Sequence, residues 1–138
     1  MRPKSHERAP TRHLSIPFFK RPGDPNVKKA LTRALVEGQV HRSPLILAEL
    51  IQGARSDREA ALLKANLLAL PATPSSTDVW LRTGELGRKL RRKGQTVPLT
   101  DLAIAASAEL GSLELWHADR HYEQIAQVAD LRLRAFYP

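Results

Sequence analysis

Cysteine is absent from this chain of 138 residues, which excludes disulfide bonds and thiolate metal sites. Aromatic residues make up only 5% of the sequence, and no apolar run approaches the roughly 20 residues of a membrane-spanning helix. The basic N-terminus also lacks the apolar stretch of a secretion signal. These absences predict a cytoplasmic protein with no membrane segment, and the length is that of one domain.

Acidic residues are scarce: 14 Asp and Glu stand against 22 Lys and Arg, for a formal net charge of +8. Such an excess favours a polyanionic partner such as RNA, or an acidic protein segment, although a basic surface that serves only solubility is the alternative. Five of the cations lie within six positions, 88–93, at the predicted end of a helix, where cations also offset the helix dipole. The candidate RNA-binding residues are Arg88, Lys89, Arg91, Arg92, Lys93 and Arg120.

One of the few acidic residues lies at the start of an apolar helix. Pro98 cannot continue a helix from upstream, Thr100 is a suitable N-cap, and the residues up to Leu110 are apolar nearly all round before Gly111. A helix with this pattern is predicted to be buried. Asp101 then lies in its first turn, where it either complements the helix dipole or belongs to a site.

Two further acids make the second interpretation of Asp101 attractive. Glu49 is the only charge in a short apolar helix between Pro44 and Gly53, and a lone acid there is costly unless it is paired or bound to a metal. Asp119 follows a strand-like run at residues 113–116, at the end of a strand where α/β sheets collect ligands. Glu49, Asp101 and Asp119 are therefore the candidate catalytic and metal-binding residues.

Three ordered blocks of the sequence resemble the PIN-domain toxins of the VapC type. They are LAELIQGARS at 47–56, GRKLRRKG with VPLTDLAIAA between 87 and 106, and ADRHYEQIA at 118–126. The resemblance implies an α/β fold, PIN-like, with a small parallel sheet flanked by helices. It also implies a Mg²⁺- or Mn²⁺-dependent endoribonuclease, the toxin of a type II toxin–antitoxin system, which forms a homodimer and binds a VapB-like antitoxin. Glu49, Asp101 and Asp119 match three of the family's acids.

The N-terminus departs from the family pattern. Family members open with a hydrophobic strand that ends in Asp, and this position falls at or near Thr11, in a stretch crowded with charges and interrupted by Pro3 and Pro10. The first strand is therefore predicted to be doubtful or missing, and the first catalytic acid is not found. Residues 1–14 are predicted to form a mobile basic tail, and residues 15–138 the PIN-like domain. Asp24 is predicted to cap the first helix, and because this role is sufficient it is not counted as a replacement for the acid.

Two other classes of function stay open at this stage. A pseudo-enzyme would keep the basic groove and the antitoxin surface, and would bind RNA or antitoxin without cleaving RNA. A small helical DNA-binding protein would explain the charge but leaves the three acids without a purpose.

The rest of the chain alternates helical and strand-like patterns. Helices are predicted over 25–37, 56–70, from 77 towards 94, and over 119–129, with short strands at 39–42, near 72–73 and at 131–134. Trp80 is expected to be a core or helix-packing residue, and His121 to lie at the surface, against Tyr122 or an RNA phosphate.

Overall fold

Six helices and four short strands form the described part of the chain, which in the computed structural model comprises residues 13–15 and 25–137. The strands are β1 (His13–Ser15), β2 (Val40–His41), β3 (Glu114–His117) and β4 (Arg132–Ala135). The helices are α1 (Pro25–Val36), α2 (Pro44–Gln52), α3 (Asp57–Leu68), α4 (Thr77–Arg92), α5 (Leu99–Leu110) and α6 (His121–Ile125).

The strands form one parallel sheet in the order β2-β1-β3-β4. The short β1 lies in its middle, with His13 paired to both Val40 and Glu114. This corrects the expectation of a doubtful or missing first strand, and the predicted boundary between residues 14 and 15 falls within β1. Thr11 and Asp24, for which an absent acid and a helix cap were predicted, lie outside the described residues.

Side chains on β3 are buried on both faces of the sheet. Leu115 joins the main core with residues of α4, α5 and α6, whereas its neighbour Trp116 packs with Ala34 and Val40 beside α1. Successive side chains of a strand point to opposite faces, so helices cover both sides, as is usual for a parallel sheet. The predicted α/β class, with a small parallel sheet flanked by helices, is confirmed. None of the helices described is long and apolar enough to cross a bilayer.

Helix α5 runs through the centre of the molecule. Its residues from Leu102 to Ala108 are all buried, as the apolar pattern predicts. The helix begins at Leu99 after Pro98, so Thr100 lies within its first turn, and the prediction that Thr100 is the N-cap is wrong. Asp101 is in the first turn, as predicted.

Several local signals have the predicted outcome. Gly38 follows α1 with a φ of 68°, a conformation that favours glycine. The Ser56 hydroxyl accepts a hydrogen bond from the backbone N–H of Glu59 at 3.1 Å and caps α3. Trp80, however, is 50% exposed, so its assignment to the core is wrong, and its alternative role in helix packing stays a prediction. Helix α6 ends at Ile125 instead of near residue 129, because i→i+3 bonds such as Val128 N–H to the Ile125 carbonyl turn the chain towards β4.

Two glycines on α4 test its packing against α5. A methyl group added at Gly87 would meet Leu102 Cδ1 at 3.1 Å, whereas nothing lies within 4 Å of the same position at Gly84. We expect Gly84→Ala to stabilise the protein by up to about 1 kcal/mol through helix propensity. Gly87→Val should destabilise it by about 1–3 kcal/mol through overpacking. Urea unfolding measures both, and equal stability of the two variants would contradict the close approach of α4 and α5.

A candidate metal centre at the carboxyl edge of the sheet

The positions of Asp101 and Asp119 are set by the start of α5 and the end of β3. Asp119 comes two residues after the end of β3, and Asp101 is the third residue of α5. Because parallel strands end at the same edge of a sheet, β1 also ends here, and its last residue is Ser15. The described part of β1, His13–Ser15, thus contributes no acidic residue to this edge.

Asp101 is partly buried and has two side-chain neighbours from the segment after β3. Its Oδ2 lies 2.9 Å from His121 Nδ1, and its Oδ1 accepts a long hydrogen bond of 3.5 Å from the Tyr122 hydroxyl. Burial raises the pKa of Asp101 above its ordinary value, and the charges of Asp119 and Glu49 raise it further, while the hydrogen bond to His121 opposes them. The carboxylate charge of Asp101 is therefore costly in the protein alone and suits a bound cation.

Asp119 and His121 are held together by the backbone. The backbone N–H of His121 donates to Asp119 Oδ1 at 2.9 Å, and His121 Nδ1 lies 3.3 Å from the same oxygen. Asp101, Asp119 and His121 can each present one ligand atom with all three atoms within 4.8 Å of one another. Two carboxylates and an imidazole at this spacing fit a divalent cation.

Buried aromatic side chains support this cluster. His117 is fully buried, and its Nδ1 lies 2.9 Å from the backbone oxygen of Asp119, which fixes the start of the loop. Burial lowers the pKa of His117, so this imidazole is neutral at pH 7. The ring of Tyr122 packs edge-on against it, at 5.3 Å between centroids. Burial raises the pKa of Tyr122, and the charges of Asp101, Asp119 and Glu49 add to the effect, so its hydroxyl stays protonated and can donate.

Glu49 stands slightly apart from the other acids. It lies on α2, half-buried, and is not a member of the group formed by Asp101, Asp119 and His121. Its charge nevertheless raises the pKa of both Asp101 and Tyr122, so Glu49 lies near enough to interact with the cluster through its charge. The structure therefore brings Asp101 and Asp119 together directly and adds Glu49 through its charge.

The predicted RNA-binding cations differ in their surroundings. Arg88 pairs with Glu85 at 3.4 Å on the surface of α4, and Arg120 pairs with Glu123 at 3.8 Å while it lies over the ring of Tyr137. The last turn of α4 carries Lys89, Arg91 and Arg92, Lys93 follows it, and the chain then leads to the start of α5 at Leu99. The exposed cations of this turn and of the residue after it are Arg91, Arg92 and Lys93.

His121 is the site residue whose position sequence reasoning missed. The expectation placed it at the surface, against Tyr122 or a phosphate, whereas it contacts two carboxylates and its side chain is 40% exposed. Its contact with Asp101 spans 20 residues of sequence, so no local pattern reveals it. The only available signal was its position two residues after Asp119.

A parallel sheet with helices on both faces and acids at its carboxyl edge defines an α/β protein with a candidate cation-binding site. The model of the PIN domain family matches residues 15–128, and the chain belongs to that family. The chain is 27% identical to Ribonuclease VapC18 of Mycobacterium tuberculosis (strain ATCC 25618 / H37Rv) over 108 residues. The aligned region covers 75% of this chain and 79% of that protein.

Solved structures agree on the fold. DNA-bound VapBC from Salmonella typhimurium has a TM-score of 0.74 at 21% identity, over 91% of this chain and 98% of that one. VapBC2 from Rickettsia felis, bound to a DNA fragment from its promoter, has a TM-score of 0.71 at 18% identity, over 90% and 98% of the two chains. At these identities the likeness concerns the fold alone.

Proposed function

We propose that this chain is a VapC-type endoribonuclease, the toxin of a VapBC-like toxin–antitoxin system, which cleaves RNA with Mg²⁺ or Mn²⁺. The observation that carries the proposal is the meeting of Asp101 and Asp119 at the carboxyl edge of a PIN-domain sheet. The relative named as a ribonuclease supports RNA as the substrate. The net charge of +8 supports a polyanion as well.

In this proposal Asp101 and Asp119 hold the ion, with Glu49 as a ligand or as the base that orients the attacking water. When bound, the ion supplies a nucleophilic hydroxide and neutralises charge on the scissile phosphate. The chain's own residues prepare the site. Tyr122 donates to Asp101 and His117 anchors the backbone of Asp119, so that both carboxylates stay in place.

The basic residues around the cluster are proposed to bind the RNA backbone. Arg91, Arg92 and Lys93 extend into solvent near the turn into α5, and Arg120 adjoins Asp119. Contacts of this kind depend on salt, because they displace counterions from the phosphates. We therefore expect RNA binding to weaken as the salt concentration rises.

A protein partner completes the proposal. The structural neighbours include VapBC assemblies, which supports a VapB-like antitoxin for this chain, and a homodimer and a cytoplasmic place of action are proposed with it. Two adjacent apolar side chains on α4, Trp80 and Leu81, are 50% and 67% exposed. Exposed apolar surface of this kind is typical of a protein interface. The division into a basic tail, predicted over 1–14, and a PIN-like domain, predicted over 15–138, is likewise proposed, with the boundary moved to before His13, because His13 and Leu14 pair in the sheet.

A pseudo-enzyme that binds RNA or antitoxin without cleaving RNA is the second candidate. It is favoured by one observation: β1 ends at the site edge in Ser15, and no acid lies within it. Carboxylates hold a divalent ion together, so a site with fewer of them binds the ion less tightly.

Incubation of structured RNAs with the full chain separates the two candidates. With Mn²⁺ we expect a few discrete cuts that disappear on chelation and fall at least about 100-fold in Asp119→Asn, because a metal ligand is lost. Glu85→Gln, on the exposed face of α4, is the matched control and should cleave like the wild type. Intact RNA at high protein concentration, with binding retained, would support the pseudo-enzyme and contradict the nuclease.

A further inference from the structure

The imidazole of His121 lies where the carboxylates of Asp101 and Asp119 converge. Its Nδ1 is 2.9 Å from Asp101 Oδ2 and 3.3 Å from Asp119 Oδ1. Adjacent ligands of an octahedral ion, each at roughly 2.1 Å, lie about 3 Å from one another. The distances between His121 and the two carboxylates thus match those of neighbouring ligands around one ion.

We propose that His121 is a direct ligand of the divalent ion, and that its nitrogen makes this site prefer transition metals to Mg²⁺. The inference rests on the proposed function, since it concerns the same metal centre. It names the chemistry of the ion that the centre selects, which the family match does not.

The position of His121 is fixed by contacts that need no metal. Its backbone N–H donates to Asp119 Oδ1 at 2.9 Å, so the residue follows Asp119 in a closed turn. The same nitrogen, Nδ1, faces both carboxylates, and it can carry at most one proton to share between them. The side chain is 40% exposed, so an ion can reach it from solvent.

The other donors at the site determine how strongly a nitrogen ligand changes the preference for one ion over another. The first strand contributes no carboxylate at this edge within its described residues, His13–Ser15. A set of two aspartates and one imidazole contains a softer donor than an all-carboxylate set. Imidazole is a poor ligand for Mg²⁺ and a good one for ions such as Co²⁺ and Ni²⁺, whose affinities for nitrogen sites rise along the series from Mn²⁺.

A simple structural role for His121 is the competing explanation. In that case the imidazole only hydrogen-bonds the two acids, and it stays outside the coordination shell when an ion binds. The two roles differ in one observable property. Only a nitrogen that is bonded to the ion has the strong hyperfine coupling of a coordinated ligand.

Pulsed electron paramagnetic resonance of Mn²⁺ added to the full chain tests this directly. We expect modulation from a coordinated ¹⁴N in the wild type, its loss in His121→Asn, and its retention in His41→Asn, the matched histidine control on β2. Calorimetric titration with Co²⁺ and with Mg²⁺ supplies the second readout. His121→Asn should weaken Co²⁺ binding at least about 10-fold and Mg²⁺ binding much less. His121→Asp should shift the preference towards Mg²⁺.

The outcomes distinguish this inference from the proposal beneath it. If Mn²⁺ binds and Asp101→Asn abolishes the binding, but no ¹⁴N signal depends on His121, the ligand role of His121 is wrong and the metal centre stands. If the wild type binds none of these ions, the metal centre itself is contradicted. Circular dichroism of each variant verifies that the fold is retained, and His121→Asp supplies the comparison if His121→Asn unfolds.

Discussion

RNA cleavage by the Asp101→Asn variant is expected to fall at least about 100-fold, because one of the two carboxylates proposed to hold the ion is lost. The same variant should be more stable than the wild type in a chelating buffer. Burial raises the pKa of Asp101, so its charged form opposes folding, and Asn removes the charge while it keeps an oxygen for His121. A gain of about 1 kcal/mol is typical of relieving such a cost.

The pH dependence of this gain has a definite sign. A pKa raised in the folded state means that the charged carboxylate costs stability, and this cost begins above the ordinary value of 3.8. The cost is complete above the raised pKa and is absent below the ordinary value of 3.8. The stability difference between Asp101→Asn and the wild type should therefore be largest near pH 7 and shrink as the pH falls. A variant less stable than the wild type at pH 7 would contradict the cost assigned to Asp101.

Loss of the Glu109 carboxylate is expected to destabilise the fold by about 2 kcal/mol, which is less than for a fully buried ion pair because this pair is partly exposed. Glu109 on α5 accepts hydrogen bonds from Arg82 Nε at 2.6 Å and Nη2 at 3.0 Å, and from the backbone N–H of Asp130 at 2.7 Å. The two side chains are 26% exposed for Arg82 and 11% for Glu109, so solvent screens the pair only in part. Glu109→Ala leaves both donors without their acceptor.

Urea unfolding across a pH range measures this loss. The hydrogen bond to Arg82 lowers the pKa of Glu109 below its ordinary value of 4.5, although burial opposes it. The stabilisation is therefore complete above about pH 4.5 and is lost as the pH falls through the lowered pKa. Glu85→Ala is the control, because Glu85 and Arg88 form an exposed pair, and its effect should be within error. Equal effects of the two substitutions would contradict the structural role of Glu109.

Local signals in the sequence were sufficient to locate two of the acids. Asp101 could be placed because a proline and an apolar helix surround it, and Asp119 because a buried strand precedes it. Both signals act over a few residues, and both elements formed as predicted. The fold class followed from the same patterns together with the family resemblance.

Other features depend on contacts between distant parts of the chain. Strand β1 escaped detection because it is held by backbone pairing, of His13 and Leu14 with both neighbouring strands and of Ser15 with β3, which side-chain hydropathy does not report. His121 meets Asp101 across 20 positions, and only the folded chain shows the contact. Trp80 is exposed although its pattern fits a helix face, since the choice of which face to bury depends on the neighbouring elements.

Calorimetric titration of Mn²⁺ into the wild type, Asp101→Asn and Asp119→Asn tests the central claim most directly. The claim is that these two carboxylates hold one divalent ion at the carboxyl edge of the sheet. We predict one ion per chain in the wild type, and affinity reduced at least about 10-fold in each variant. Binding of the same strength in all three proteins, or no binding to the wild type, would contradict it.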